Sequence, residues 1–507
     1  MKKRFLAVLL VCVMLITGCS GSKGNDTGKN ASTGIEATGT PSEKEEITKL
    51  VVAFRTFGTT PTDVKKVQQK LNEITKEKIK AEVELMIIPS GSYKQQLTLM
   101  LAGDEQLDVI GLPSSLIAST YSAQQIKPLD ELIKTYGQGI QETLGDTLLR
   151  CGYFAGNLYM LPIRADTANG MGGFMLRKDI CEKYNIDASS IDSYEKLTEA
   201  FETVHKNEPD MTIVAPYSVG YSPLQFNVTW DKLGDNFGVL EQGGQNLKVV
   251  NLFETQEYKD YLNVFRNWYQ KGYISNDVTN ATEAGAPLMK AGNLFAYTQA
   301  TKPGIEVQEM NSSGYDIVSC QVLPALTVTG NNWSWAIPEN TKTPEKAMEF
   351  LNLMYTDPDV INLLAYGIEG EHYVVQSDGT INYPEGVDSS NSGYNMGNMV
   401  WSFGNEFNAY VWNGNDPEVW KKTDEWNKTG VVSKAYGFTY DNTPVSNELA
   451  AVQNVYDQHR MSLECGVVDP ESTLKEMNKK LYDAGLQTII DEKQKQLDEW
   501  AKQNNVK

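Results

Sequence analysis

Short apolar runs alternate with longer amphipathic segments in the first part of the chain. The short runs are typical of buried strands, and segments whose apolar residues recur every three or four positions are typical of helices. In chain order, the pattern predicts a strand at 50–54, a helix opening at Thr62, a strand at 81–88, a helix at 92–101 and a strand at 108–111. Strands and helices that alternate in this way predict a parallel α/β unit.

The alternation returns further along, and the last third of the chain is mostly helical. Helices are predicted at 193–206 and 256–271, and strands at 211–215 and 294–297. Further helical patterns follow at 345–355, 359–366, 447–461 and 471–504. A stretch rich in Gly, Asn and aromatic residues, 367–410, interrupts them. These patterns predict more than one α/β unit, with additional helices at the end.

The first 18 residues have the pattern of a secretory signal. A cationic start precedes an apolar run of about a dozen residues, too short for a bilayer span of roughly 20. The run ends at Ile16-Thr17-Gly18-Cys19, which resembles the lipobox of bacterial lipoproteins, where the cysteine is diacylated and becomes the N-terminus. We therefore predict a signal peptide at 1–18 and lipidation of Cys19. The alternative is an ordinary signal peptide with a chance cysteine.

Residues 19–46 are rich in Gly, Ser, Thr, Asn and charge, and this composition predicts a flexible tether because it cannot bury enough apolar surface to fold. The formal net charge of −20 gives no reason to expect binding to nucleic acid or to anionic lipid. No second hydrophobic stretch has transmembrane length. We expect the folded body to lie on the extracellular face of the cell membrane, held there by lipid.

The body contains four cysteines, Cys151, Cys181, Cys320 and Cys465. An even number in a secreted chain permits disulfides. Their spacings are wide, no CxxC motif occurs, and a body of this length has core enough without covalent links. These features favour buried thiols.

Several segments between 47 and 370 together resemble the extracellular solute-binding proteins of carbohydrate ABC importers. The matching segments are LAGDEQLDVI at 101–110, KPLDELI at 127–133, LYMLP at 158–162, LRKD at 176–179, AIPENTK at 336–342 and PEKAMEFL at 344–351. Three later segments resemble a lipoprotein subfamily of Gram-positive bacteria that carries a C-terminal extension of undefined role, here about 375–505. They are YGIEGEHY at 366–373, NYPEG at 382–386 and WSFGN at 401–405.

The resemblance implies a two-lobed α/β fold of the type II periplasmic-binding-protein class, each lobe a doubly wound mixed sheet with flanking helices. We expect one lobe to comprise 47–164 with 335–375 and the other 165–334 with 376–507. The chain would then cross between them at 162–166 and 333–338. The implied function is to capture a sugar or oligosaccharide between the lobes and deliver it to ABC permease subunits, with the protein acting as a monomer.

A sugar offers hydroxyl groups and flat C–H faces, so its site needs planar polar side chains and aromatic rings. The aromatic candidates, placed at predicted loops or crossings, are Phe57, Trp230, Trp333 and Trp401. The polar candidates are Arg164, Asp166, Asp231, Glu371, His372 and Asn405. Buried packing is the alternative for each ring, and an inter-lobe or hinge salt bridge is the alternative for Arg164 and Asp166.

Two other classes of protein remain open from the sequence. One is a binding protein for a peptide or another non-sugar solute, and the other is a surface glycosidase with two catalytic carboxylates. The chain has no GxSxG, HExxH, phosphate loop or complete GxGxxG, which argues against an enzyme. Its three histidines, His205, His372 and His459, are scattered, so we expect no metal and no cofactor.

Overall fold

The computed structural model describes residues 46–103, 105–154, 156–328 and 333–507. The predicted signal peptide, Cys19 and all but the last residue of the predicted tether lie outside these ranges. Among the described residues, no helix combines the length and the apolar composition that crossing a bilayer requires.

Strands and helices alternate from Thr48 to Ser122, and the first five of these elements are those that the sequence predicts. Two further α-helices and three short strands then lead to Pro162. The helical period is visible in α1, whose buried residues lie about one turn apart on one face. The elements are β1 (Thr48–Thr56), α1 (Val64–Ile79), β2 (Ala81–Pro89), α2 (Ser90–Ala102), β3 (Val109–Pro113), α3 (Ser114–Ser122), α4 (Asp130–Tyr136), α5 (Gln138–Leu149), β4 (Tyr153–Phe154), β5 (Asn157–Leu158) and β6 (Leu161–Pro162).

A second alternating set runs from Asn169 to Thr327. Its helices α7 and α9 begin after Ser193 and Thr255, whose side chains cap the first backbone N–H groups. The elements are β7 (Asn169–Gly170), β8 (Gly173–Arg177), α6 (Lys178–Tyr184), α7 (Tyr194–Asn207), β9 (Thr212–Ala215), α8 (Glu241–Gly244), α9 (Gln256–Gln270), α10 (Gly285–Lys290), β10 (Leu294–Thr298), α11 (Ile305–Ser313), β11 (Ile317–Gln321) and β12 (Ala325–Thr327).

The last set begins at Trp333. The sequence predicts one helix over 471–504, but the structure has two, because Gly485 adopts a φ of 106° that interrupts the right-handed helix. The elements are β13 (Trp333–Ala336), α12 (Pro344–Thr356), α13 (Pro358–Tyr366), β14 (Val374–Val375), β15 (Ile381–Asn382), α14 (Val419–Asn427), β16 (Val431–Val432), α15 (Ser446–Glu464), α16 (Pro470–Asp483) and α17 (Leu486–Gln503).

Two large hydrophobic cores organise these elements. One takes its residues from 50–165 and 333–409. The other takes its residues from 171–326 and 435–501. Each core is the interior of one lobe, and the two-lobed α/β fold predicted from the sequence is confirmed.

The first lobe is built on a sheet with the strand order β2-β1-β3-β13-β6. β1 is parallel to β2 and β3, whereas β13 is antiparallel to β3. β13 begins opposite Pro113, the last residue of β3, so Trp333 lies at the edge where the parallel strands end. Open α/β sheets bind ligands beyond this edge.

The second lobe is built on a sheet with the order β11-β8-β10-β9, in which β9 and β10 are parallel. Side chains of β8 alternate between its faces: Phe174 and Leu176 join the second core, whereas Met175 joins a smaller cluster with Tyr297 and Ile317. The sheet is therefore covered on both faces, which is the doubly wound arrangement.

Three chain crossings connect the cores, within 165–171, 326–333 and 409–435. A small sheet with the order β16-β12-β7 gathers the strands next to these crossings. The sequence predicts two crossings, at 162–166 and 333–338. Both are corrected, because Pro162 belongs to β6 and Trp333 to β13, which are strands of the first sheet.

The predicted assignment of residues after 375 to the second lobe is also corrected. Apolar residues of the Gly- and Asn-rich stretch, including Ile381, Met396 and Phe403, pack in the first core. The first lobe therefore continues to Ala409, and the chain crosses back only after it.

The C-terminal helices α15, α16 and α17 complete the interior of the second lobe. Glu464, at the end of α15, is buried, and its carboxylate accepts hydrogen bonds from Ser222 and, at 3.0 Å, from Tyr258. Lys493 of α17 is also buried and donates to Asp235 at 2.8 Å. Because both charged groups pair with residues of the earlier segment, these helices are part of the lobe and not an appendage.

Cys151, Cys181, Cys320 and Cys465 are buried thiols, in agreement with the sequence-based expectation. Burial raises the pKa of each thiol to about 12. A thiolate is therefore strongly disfavoured at neutral pH, and the four side chains act as packing residues.

Candidate functional site

Four side chains meet at the edge of the first sheet where β1 and β3 end. Arg55 lies near the end of β1, Phe57 follows it, Trp333 opens β13, and Trp401 comes from a 3₁₀ turn at Val400–Ser402. The centre of the Trp401 ring lies 6.3 Å from those of Phe57 and Trp333. The guanidinium carbon of Arg55 lies 4.7 Å from the Trp333 ring centre, 5.0 Å from that of Phe57 and 5.9 Å from that of Trp401. We call these four side chains the Arg55 cluster.

A cavity of about 520 Å³ lies between the lobes. The first lobe lines it with 394–400, the second with 302–304, and the third crossing with residues of 411–423. It adjoins the Arg55 cluster at Gly397, where a Cβ atom would lie 3.0 Å from the Cβ of Phe57. Six aromatic residues line the cavity: Tyr366, Tyr383, Tyr394, Tyr410, Trp412 and Trp420.

Asp166, Lys302 and Glu406 form a charged group in the cavity wall. The Lys302 ammonium donates to the Asp166 carboxylate at 2.6 Å. Burial acts to lower the pKa of Lys302, but attraction to Asp166 outweighs it, so that pKa is raised. Burial, reinforced by repulsion from Asp166, raises the pKa of Glu406, although Lys302 opposes this. The group offers both donors and acceptors to the hydroxyl groups of a ligand.

Polar groups continue from the cavity along the edge of the second sheet. Tyr217 follows β9 and is exposed, and Gln299 follows β10. The Gln299 amide donates to Glu309 at 3.2 Å, and the Tyr297 hydroxyl donates to the same carboxylate at 2.6 Å. Glu309 also acts electrostatically on Lys302, which places this group beside the cavity.

Residues 58–361 match the family described as bacterial extracellular solute-binding protein. The chain belongs to this family. Residues 434–502 match a domain of unknown function (DUF3502). The structure places that segment in the interior of the second lobe of this solute-binding protein.

The relatives cover nearly the whole chain. A carbohydrate ABC transporter substrate-binding protein of Streptococcus pneumoniae is 26% identical over 465 residues, which cover 90% of this chain and 91% of that protein. The polygalacturonan/rhamnogalacturonan-binding protein YtcQ of Bacillus subtilis is 20% identical over 407 residues, covering 76% of this chain and 77% of that protein. These relatives are named as binding or transport proteins.

The solved structure of the N-glycan transport solute-binding protein NgtS from S. pneumoniae superposes with a TM-score of 0.75 at 22% identity, covering 90% of this chain and 99% of that one. The alginate-binding protein AlgQ2 superposes with a TM-score of 0.58 at 15% identity, covering 90% and 98%. These likenesses support the fold of the solute-binding protein.

The structure brings some of the residues proposed from sequence together at this site. Phe57, Trp333 and Trp401 meet in the Arg55 cluster, and Asp166 and His372 line the cavity. Phe57 is 53% exposed, whereas Trp333 is 0% exposed. Trp333 therefore supports Arg55 from beneath, and the proposed direct contact of its ring with ligand is corrected.

Arg164 and Asn405 pair through their backbones next to the first crossing, and their side chains form structural bonds. The Arg164 guanidinium donates to Asp424 at 2.7 Å and to the carbonyl of Thr143 at 2.6 Å. The Asn405 side chain caps a short 3₁₀ turn by accepting from the backbone N–H of Phe407 at 3.2 Å. The structure thus favours the alternative role of Arg164, an ion pair at the hinge, over contact with a ligand.

The assignment of Trp230 and Asp231 to the ligand site is corrected. Both are 1% exposed, and Trp230 packs in the second core. An aromatic residue beside an acid suggested a binding loop, but the backbone of Asp231 pairs with that of Leu240 and its carboxylate accepts from the Leu233 N–H at 3.0 Å.

Asp63, Glu371 and His372 bring one potential ligand atom each within 4.8 Å of one another. The Lys66 ammonium already lies 3.0 Å from the Asp63 carboxylate and 3.1 Å from that of Glu371. One ring nitrogen of His372 accepts from the Ile368 N–H at 2.9 Å, and the other lies 3.2 Å from Asp63. Because Lys66 supplies the positive charge, we assign Asp63, Glu371 and His372 to an ion-pair group. The Glu371 side chain lies at the surface in this group, so its proposed contact with ligand is corrected.

Sequence reasoning missed Arg55, Tyr217, Lys302 and Glu406. A signal existed for two of them, because Arg55 ends a predicted strand and Tyr217 closely follows another. Lys302 and Glu406 become site residues only through contacts that cross between lobes, and a single sequence carries no signal for these.

Proposed function

We propose that this solute-binding protein captures a sugar or oligosaccharide between its lobes and delivers it to the permease of an ABC importer. The observation that supports this most is the ring-lined inter-lobe cavity that also contains the Asp166–Lys302 pair. Aromatic rings cover the flat C–H faces of a sugar, and paired charged groups bond its hydroxyls. The volume of about 520 Å³ lies within the usual range for small-molecule sites, about 300–1,000 Å³.

The names of the relatives support the same ligand class. NgtS has been crystallised with Man5GlcNAc, and the chain superposes on that complex with a TM-score of 0.61. The S. pneumoniae substrate-binding protein is named for carbohydrate transport. Carbohydrate is thus the ligand class that the family and the cavity favour together.

Trp412 provides the sharpest test of the cavity. Its ring lies 4.6 Å from that of Tyr383 and 5.7 Å from that of Tyr366, centre to centre, in the cavity wall. A thermal-shift panel of mono- and oligosaccharides first identifies a binding glycan. We expect Trp412→Ala to weaken its binding by about 1–3 kcal/mol in titration calorimetry, since the stacking face is lost.

The control is Tyr482→Ala, which removes an exposed ring of the second lobe outside the cavity. It should bind as the unchanged protein does. Equal affinities for all three proteins would exclude this cavity as the site, and a panel without any binding glycan would exclude the carbohydrate proposal.

We also propose that the protein is anchored by lipid on Cys19, which supports its work beside a membrane permease. Two or three acyl chains hold a protein stably on a bilayer, whereas one is marginal. We expect Cys19→Ala to shift the protein from the membrane fraction to the medium on cell fractionation. Membrane retention equal to that of the unchanged protein would contradict the anchor.

A further inference from the structure

Arg55 is half-buried and has an unusual set of neighbours for a cation. Its guanidinium is framed by the three rings of the Arg55 cluster. The Nε atom is buried and has no hydrogen-bond partner among the described residues. Burial lowers the pKa of Arg55, and the one electrostatic neighbour that opposes this is Tyr93, not a carboxylate.

Three other arginines of the described chain have oxygen partners. Arg164 and Arg177 donate to the aspartates Asp424 and Asp179. Arg266 donates to two backbone carbonyls. A buried donor without a partner is destabilising, so the arrangement around Arg55 is unfavourable unless something else supplies the acceptor.

The cluster is held rigidly in this arrangement. Trp333 packs against Gly111, where a Cβ atom would come within 2.1 Å of its ring. The Nε1 of Trp333 is a second buried donor without a partner among the described residues. The cluster thus holds a positive charge and two buried donors that have no acceptor among the described residues.

The Arg55 cluster adjoins the inter-lobe cavity at Gly397, one of the residues that line it. Phe57 is exposed and Trp401 is partly exposed, and Phe57 packs against Gly397 in the cavity wall. The cavity's own cation, Lys302, is already neutralised by Asp166. Arg55 is therefore the cation that remains available for a ligand charge.

We propose that Arg55 forms a subsite for a carboxylate carried by the glycan, such as that of a uronic or other acidic sugar residue. This rests on the proposed function. A guanidinium binds a planar carboxylate through two parallel hydrogen bonds, which gives both affinity and orientation. The three rings around it exclude water and so strengthen the pairing.

The test uses an array of glycans arranged in sets of three that differ only in one group: a free carboxylate, its methyl ester, or a sulfate. The mature chain with Cys19→Ser is applied, and the sets that bind are measured by calorimetry. We expect the acid to bind about 10- to 100-fold more tightly than its ester, with sulfate weaker than carboxylate because a sulfate ester is the weaker hydrogen-bond acceptor.

Arg55→Gln should remove the preference, lowering affinity for the acid while the ester changes less than about threefold. Arg55→Lys keeps the charge without the two-bond geometry and should retain part of the preference, which also covers the case in which Arg55→Gln fails to fold. The matched control Arg460→Gln removes a guanidinium of the second lobe and should leave the preference intact.

Equal affinity for acid and ester in the unchanged protein would overturn the inference and leave the proposed function standing. Equal loss of both ligands in Arg55→Gln would also overturn it, because the arginine would then be a general contact or a structural group. A preference for sulfate over carboxylate would overturn the assignment of carboxylate. Absence of binding to every glycan would overturn the proposed function itself.

Discussion

Asp231 shows how strongly burial changes a group that looks functional in the sequence. It is 1% exposed, and burial raises its pKa from 3.8 to about 6, although hydrogen bonds to its carboxylate oppose the shift. The folded protein therefore binds a proton at this group over a pH range in which the unfolded chain has lost it. At neutral pH this carboxyl is ionised in a buried position, which lowers the free energy of unfolding.

The sign of this effect gives a prediction. The protonated Asp231 carboxyl contributes fully to the free energy of unfolding at pH values below the pKa that this group has in the unfolded chain. This contribution is lost as the pH rises through about 6. Asp231→Asn cannot ionise, so we expect it to raise the free energy of unfolding by about 2 kcal/mol at about pH 8. Below about pH 4 the two proteins should be equally stable.

Denaturant unfolding across this pH range checks the prediction. Asp491→Asn, a change on the exposed surface, serves as the control and should show no such pH-dependent gap. Ligand affinity should be unchanged in Asp231→Asn, because the side chain lies in the second lobe's interior. A variant that is less stable at every pH would contradict the assigned cause.

Helix α14 lies in the third crossing and ties it to the first. The Asp424 carboxylate on α14 accepts from Arg164 at 2.7 Å, and the side chain of Asn427 accepts from the Thr167 N–H at 2.9 Å. Trp426 donates to the carbonyl of Ala168 at 3.0 Å. These bonds make α14 a brace across the two segments that must bend if the lobes move.

We expect Asp424→Asn to loosen this brace. The ion pair is about one-third exposed on each side, so its loss should cost only about 0.5–1 kcal/mol of unfolding free energy. The local effect should be larger: backbone amides of 163–168 should exchange hydrogen faster in mass-spectrometric measurements. Asp416→Asn breaks a surface pair near the same helix and should leave this exchange unchanged, and equal rates in both variants would contradict the brace.

Local patterns in the sequence are sufficient to predict most of these helices and strands. They do not predict which other elements each of them packs against. The helical spacing predicts α1, α7 and α9, because a face that repeats every turn must be buried. The aromatic-rich stretch after Gly367 has no such period, so its packing in the first core could not be read from it. The break between α16 and α17 depends on one backbone angle, at Gly485. The apolar pattern continues through this position, so the sequence carries no sign of the break.

At the scale of the whole molecule, these parts form a receptor with a cavity between two separately packed lobes. Phe57 and Trp401 were predictable because each follows a local signal for a loop, but the role of Arg55 depends on the partner that it lacks. The three crossings and their small sheet lie outside both cores, and we propose that they form the hinge. Hinge closure around a ligand is an established motion of such folds.

A glycan can shift the protein toward a closed form only if it contacts both lobes better in that form. The cavity meets this condition, because Lys302 belongs to the second lobe and Tyr394 to the first. Small-angle X-ray scattering of the mature Cys19→Ser chain, with and without a saturating glycan, is the most direct test. We expect the radius of gyration to decrease when the glycan binds. An unchanged scattering profile, at a glycan concentration that calorimetry shows to be saturating, would contradict capture by closure between the lobes.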